Sequence, residues 1–161
     1  MGQAHVPTQL EEFCWWVMSS VEDMIRHPEA TWDVTVWTQD TAGTAEQRLD
    51  LVYLFERKGE ENLVAFLEQV LDRISLGKGS ARCAVVHACW ISEDDGTRVE
   101  VLLLLAREQD PTKGIHCWTA GISRHASLLP RLQDWKKWHD TGGWLPHLKE
   151  KIRHGHTSPA K

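Results

Sequence analysis

The sequence predicts an α+β domain, an antiparallel sheet of about five strands with helices packed on it, in the order α-β-β-α-β-β-β-α. Three observations carry this. Residues 7–25 and 59–77 repeat apolar side chains at helical spacing. Several other stretches alternate, or run apolar, over strand lengths. The strand-like stretches arrive mostly as neighbours joined by turn residues, which makes hairpins and hence an antiparallel sheet with helices on it.

Thr8 followed by Glu11 forms a capping box, so the first helix starts there, with Pro7 tolerated just before it. Leu10, Phe13, Cys14, Val17, Val21, Met24 and Ile25 define one face. Trp16 flanks that face and Trp15 falls off it. Pro28 stops the helix. TWDVTVWT (31–38) alternates and reads as a strand, TQDTAGTAEQ as a polar turn, and RLDLVYLFE (48–56) as the returning strand, with Leu49, Leu51, Tyr53 and Phe55 on one side. The second helix has the apolar stripe Leu63, Val64, Phe66, Leu67, Val70, Leu71 and Ile74, with Gly77 as its C-cap. ARCAVVHACWI and TRVEVLLLLARE flank SEDDG, whose Asp-Gly supplies the positive φ that a tight turn needs. GIHCWTAGI is a fifth strand. SLLPRLQDWKKWHD (127–140) reads as a last helix with Pro130 in its first turn, followed after Gly142-Gly143 by the shorter PHLKEKI. Residues 1–153 are thus expected to form one domain and 154–161 a flexible tail. The order resembles the plans of profilin-like and roadblock-type domains; the likeness is one of order alone, and no motif supports a family.

A chain of 161 residues with 42% hydrophobic and 25% charged side chains has the make-up of an ordinary globular domain able to bury its own core. The densest apolar run, VEVLLLLA (99–106), is too short to cross a bilayer and reads as a buried strand. No secretory signal is visible. The four cysteines, Cys14, Cys83, Cys89 and Cys117, sit inside helix- and strand-like segments, which suits buried thiols in a reducing compartment. A cytoplasmic protein with no membrane partner is therefore expected.

Two compositional features bear on function. Residues 1–123 hold 10 Lys and Arg against 20 Asp and Glu, a balance of −10, whereas residues 124–161 hold 8 against 3, a balance of +5. Nine tryptophans stand beside one tyrosine and three phenylalanines. Tryptophan is enriched at interfaces, where its ring anchors a contact and its N–H finds a partner.

The chemistry-bearing constellations are few. Cys83, His87 and Cys89 share one face of a strand and Cys117 lies on another, a set with zinc-ligand chemistry but without the usual C-x2-C or H-x3-H spacing. The simpler reading is a core face of small thiols, its cross-strand partners Leu and Val. GISRH lacks the second glycine of a nucleophile elbow, and His116-Cys117 point to opposite faces of a strand. LGKGS runs helix-loop-strand, the reverse of a phosphate loop. No metal, cofactor or catalytic residue is assigned.

These observations point to a small non-enzymatic protein-binding domain of accessory, inhibitor, immunity or adaptor type, working through a tryptophan-bearing surface drawn from Trp15, Trp16, Trp135, Trp138 and Trp144. Opposite charge at its two ends also favours a homodimer. The alternative is nucleic-acid or nucleotide binding, with Arg131, Lys136, Lys137, Lys149, Lys151 and Arg153 on phosphates and bases stacked on the neighbouring tryptophans. The acidic remainder of the chain opposes it. An enzyme without a recognisable motif is the third reading.

Overall fold

A computed structural model describes residues 8–26, 34–51, 63–75, 80–92, 96–110, 112, 114–123, 131–138 and 152–155. Helix α1 (Gln9–Ile25) starts at the expected capping box. Thr8 Oγ1 accepts from the Glu11 N–H at 3.1 Å, and Glu11 Oε1 accepts from the Thr8 N–H at 3.3 Å. Strand β1 (Thr35–Asp40) turns tightly into β2 (Ala45–Gln47). Helix α2 (Leu63–Ser75) leads to the long hairpin of β3 (Ser80–Ser92) and β4 (Arg98–Glu108), and then to β5 (Ile115–Ser123). Three short strands complete the described fold: β6 (Arg131–Leu132), β7 (Lys136–Trp138) and β8 (Ile152–Gly155).

The strands form one antiparallel sheet in the order β2-β1-β3-β4-β5-β6, with β7 also on β5 and β8 also on β3. The thirteen-residue β3 is long enough for two partners on one edge: β1 pairs with its first half and β8 with Cys89 to Ile91. α1 covers one face and α2 the other. Toward α2 point Cys83, Val85, Cys89, Val101, Leu103, Leu105 and Cys117, meeting Phe66, Leu67, Val70, Leu71 and Ile74. Toward α1 point Trp37, Ala84, Val86, Ala88, Leu102, Leu104, Ala106 and Trp118. The unbroken apolar run of β4 follows directly, because alternate residues serve opposite cores and both are dry. Ala84 pairs with Trp37 on one side and Ala106 on the other, and these small side chains leave room for the indole beneath α1. Arg107, buried on the α2 side, pairs with Asp72 and ties the helix to the sheet.

The α+β class and the antiparallel hairpins stand. The strand count and order are corrected in two places. First, the expected return strand 48–56 is displaced toward the turn. The Asp40 carboxylate accepts the Thr44 N–H at 2.8 Å and Gly43 adopts φ +92°, so the hairpin closes early and β2 lies in what reads as turn. Arg48 then begins a short helical turn: the Leu51 N–H donates to its carbonyl, and Leu49 is exposed. Tyr53 and Phe55 lie outside the described residues. Second, the expected helix over 127–140 is replaced, at 131–138, by β6 and β7, which share the outer edge of β5. The backbone groups along that edge need partners, and pairing them overrides a weak local helical preference. Gly96 has the expected positive φ, at +87°, and Ser92 pairs with Arg98 at the end of the β3–β4 ladder, while residues 93–95 lie outside the described residues. β8 spans the boundary drawn after residue 153, and His154 pairs with Trp90. Among the described residues, no helix is long and apolar enough to cross a membrane.

Leu104 is fully buried beneath α1, so Leu104→Ala is expected to lower the unfolding free energy by about 2–5 kcal/mol in urea melts. Val99 is 39% exposed, and Val99→Ala should stay within about 0.5 kcal/mol of the parent.

Candidate functional site

An opening lies where α1 overhangs the β1–β2 turn. It is a groove of about 630 Å³ lined by Glu12, Phe13 and Trp16 of α1, Gln39 and the 41–45 turn, and Arg82 of β3. Helical spacing puts Phe13 at the floor, where it is buried, and turns Trp16 up the wall, where it is 40% exposed. The Trp16 ring stacks on Phe13 at 6.5 Å and meets the edge of the buried Trp37 at 5.5 Å. It is thus an exposed aromatic held in one pose, and little rotamer freedom remains to be lost on contact. Trp15, one residue earlier, is 45% exposed on the outer surface of the same helix.

Arg82 supports the opposite side. Its guanidinium donates to Gln39 Oε1 at 2.9 Å and to Gln9 Oε1, and its Nε lies 3.4 Å from Glu108. The cation is therefore neutralised and used to lock the walls. The Glu12 carboxylate, on the rim one helical turn before Trp16, pairs with no side chain among the described residues. The groove combines a fixed aromatic, amide edges and one free negative charge.

The other expected site residues do not join it. Trp135 packs on the α1-side core and donates its indole N–H to Glu22 at 3.3 Å. Trp138 packs on the α2-side core and donates to Thr119 Oγ1 at 2.9 Å. Three residues apart, they are on opposite sides of the sheet, so the shared helical face expected for them is not formed. Trp138 borders a smaller opening of about 330 Å³ with Ile91, Val99, Val101 and Lys136. Trp144 lies outside the described residues.

The basic set is likewise divided. Lys136 sits 4.4 Å over the Trp138 ring, while Lys137 lies 5.2 Å over Trp118, which belongs to the other face. Arg131 is exposed on β6. Lys149 and Lys151 lie outside the described residues, and so does the side chain of Arg153.

Cys83, Cys89 and Cys117 all enter the α2-side core, as small apolar groups would. The cross-strand partners are Leu103 for His87 and Val101 for Cys89, as expected, but the register sets Arg107 opposite Cys83, and Arg107 is accommodated there by its ion pair with Asp72. His87 Nδ1 lies 2.6 Å from the Ala88 carbonyl. Among the described residues, no three His, Cys, Asp or Glu side chains gather where they would hold a metal ion. Burial pushes the Cys89 thiol from its ordinary 9.0 up to about 12, and that of Cys117 well above the usual range.

Gln9, Glu12, Gln39 and Arg82 are among the groove residues that sequence reasoning missed. Nothing local marks them, since three separate elements bring them together. No protein-family model, curated protein or solved structure matches the chain.

The four thiols are buried and none is in a disulfide, so none should react with a disulfide reagent at pH 8 until denaturant is added, when all four should. The folded Cys89 holds its proton more tightly than the unfolded one, so its contribution to stability is whole below pH 9 and declines as the pH rises toward 12. The urea midpoint is therefore expected to fall between pH 8 and pH 10, and Cys89→Ala should make that fall smaller.

Proposed function

We propose that this is a non-enzymatic protein-binding domain of accessory, inhibitor, immunity or adaptor type, which docks its partner on the outer face of α1 and in the adjoining groove. One observation carries the reading. Trp16 is held against Phe13 and Trp37 yet remains 40% exposed at an open groove, with Trp15 exposed beside it. Interfaces concentrate their energy in such rigid, partly desolvated aromatics. Adjacent exposed tryptophans on one helix also set two large apolar rings side by side at the surface. The tryptophans of the C-terminal region support the reading less, because Trp135 and Trp138 already spend their N–H groups and much of their area inside the domain. We place the domain in the cytoplasm, on the strength of four buried cysteines of which none is in a disulfide.

A photo-cross-linking amino acid at position 15 tests the proposal in cells. It is expected to yield a covalent protein adduct that the same group at Val99, at the far end of the sheet, does not yield, and that Trp16→Ala removes while the thermal melt stays cooperative. Equal adducts from both positions, or none from position 15, would overturn it. A second copy of this chain in the adduct would make the partner a homodimer.

A further inference from the structure

We infer that the occupant of the α1 groove is a cationic protein segment, one that lays an Arg or Lys side chain on Trp16 beside Glu12. The inference rests on the docking reading above and names the chemistry of the partner. The sequence of α1, QLEEFCWWVMSSVEDMI, contains four carboxylates and no Lys, Arg or His. Glu11 is absorbed by the cap, and Glu22 receives the Trp135 indole N–H. Glu12 and Asp23 remain exposed on the surface that carries Trp15 and Trp16, and neither has a side-chain partner among the described residues.

At the groove Arg82 is matched by Glu108, and Arg48 of the neighbouring β2 end is held by Asp50 at 2.7 Å, while Arg26 caps the opposite end of α1. The charge left over at the groove is that of Glu12, one helical turn from the exposed Trp16 indole. An indole face attracts a cation through its quadrupole, and a carboxylate within reach adds a charge-assisted hydrogen bond. The domain already shows this chemistry in Lys136 over Trp138 and Lys137 over Trp118. An acidic segment would meet repulsion from Glu12, and a purely apolar one would leave that carboxylate at the edge of a dry contact. An excess of negative charge over residues 1–123 would also speed the approach of a basic partner.

The test uses the full chain, 15N-labelled, titrated with a blocked Arg-Gly repeat peptide and with its Glu-Gly counterpart. The Arg-Gly peptide is expected to move the Trp16 indole signal and the backbone signals of Glu12 and Gln39, and the Glu-Gly peptide to move neither. Glu12→Gln should weaken the Arg-Gly interaction roughly 2- to 5-fold, and Trp16→Phe should weaken it to a similar degree, since a phenyl ring is the poorer cation acceptor. Both changes lie on the surface, and unchanged signals elsewhere would show that the fold is intact. Shifts scattered over other acidic residues, or binding indifferent to Glu12→Gln, would overturn the inference. If no peptide binds but cross-linking from position 15 still captures a partner, the cation fails and the docking surface stands. If neither occurs, both fall.

Discussion

The backbone of β4 has nowhere to find hydrogen bonds except in β3 and β5. Val101 to Ala106 are buried on both faces, one side under α1 and the other under α2, so water cannot serve the peptide groups between them. An unpaired amide in that setting would cost free energy comparable to a lost hydrogen bond, and the neighbouring strands must be in register along its whole length. The ladders show this, with Arg82 to Ser92 paired on one side and Ile115 to Gly121 on the other. The two helices, the placement of the thiols and the sorting of tryptophans between faces all follow from that dry central strand.

The groove follows from how α1 lies across its face. The helix is seated by Leu10, Phe13, Cys14, Val17 and Val21, which look inward, while Trp15 and Trp16 fall at and beyond the edge of that stripe. Phe13 and Trp37 support Trp16 from below without covering it. Arg82, by bonding Gln9 and Gln39 together, fixes the width between helix and turn. The surface is thus stiff where it is apolar and unpaired where it is negative, which is the combination that favours selective over indiscriminate adhesion.

What could be read in the sequence was what local chemistry decides. The capping box at Thr8 and Glu11, the exposure of Trp15, the buried character of the run from Val101 to Ala106 and the positive φ of Gly96 all depend on neighbours a few residues away. What could not be read depends on distant ones. Trp135 and Trp138 are spaced as one side of a helix, and only the open edge of β5 makes them short strands that send the two rings to different cores. Asp40 closes its turn ahead of the Leu49–Leu51 pattern because of a single side-chain hydrogen bond. Gln9, Gln39 and Arg82 meet across three elements, and nothing in any one of them announces the encounter.

The pairing of β8 with the second half of β3 has a bearing on how the chain is made. Ile91 and Ile152 are about sixty residues apart in the chain. While synthesis proceeds, β3, β4 and β5 can assemble, but the stretch of β3 around Cys89 to Ile91 lacks its strand on that side until the last described segment has left the ribosome. Domains ordinarily gather themselves from the N-terminus onward during translation. Here one edge of the nascent sheet stays open to any passing strand until late, which is when unpaired edges recruit the wrong partner. A chain ended before Ile152 would leave the Cys89–Ile91 stretch of β3 without β8, an unpaired strand edge in a sheet whose other strands are already present.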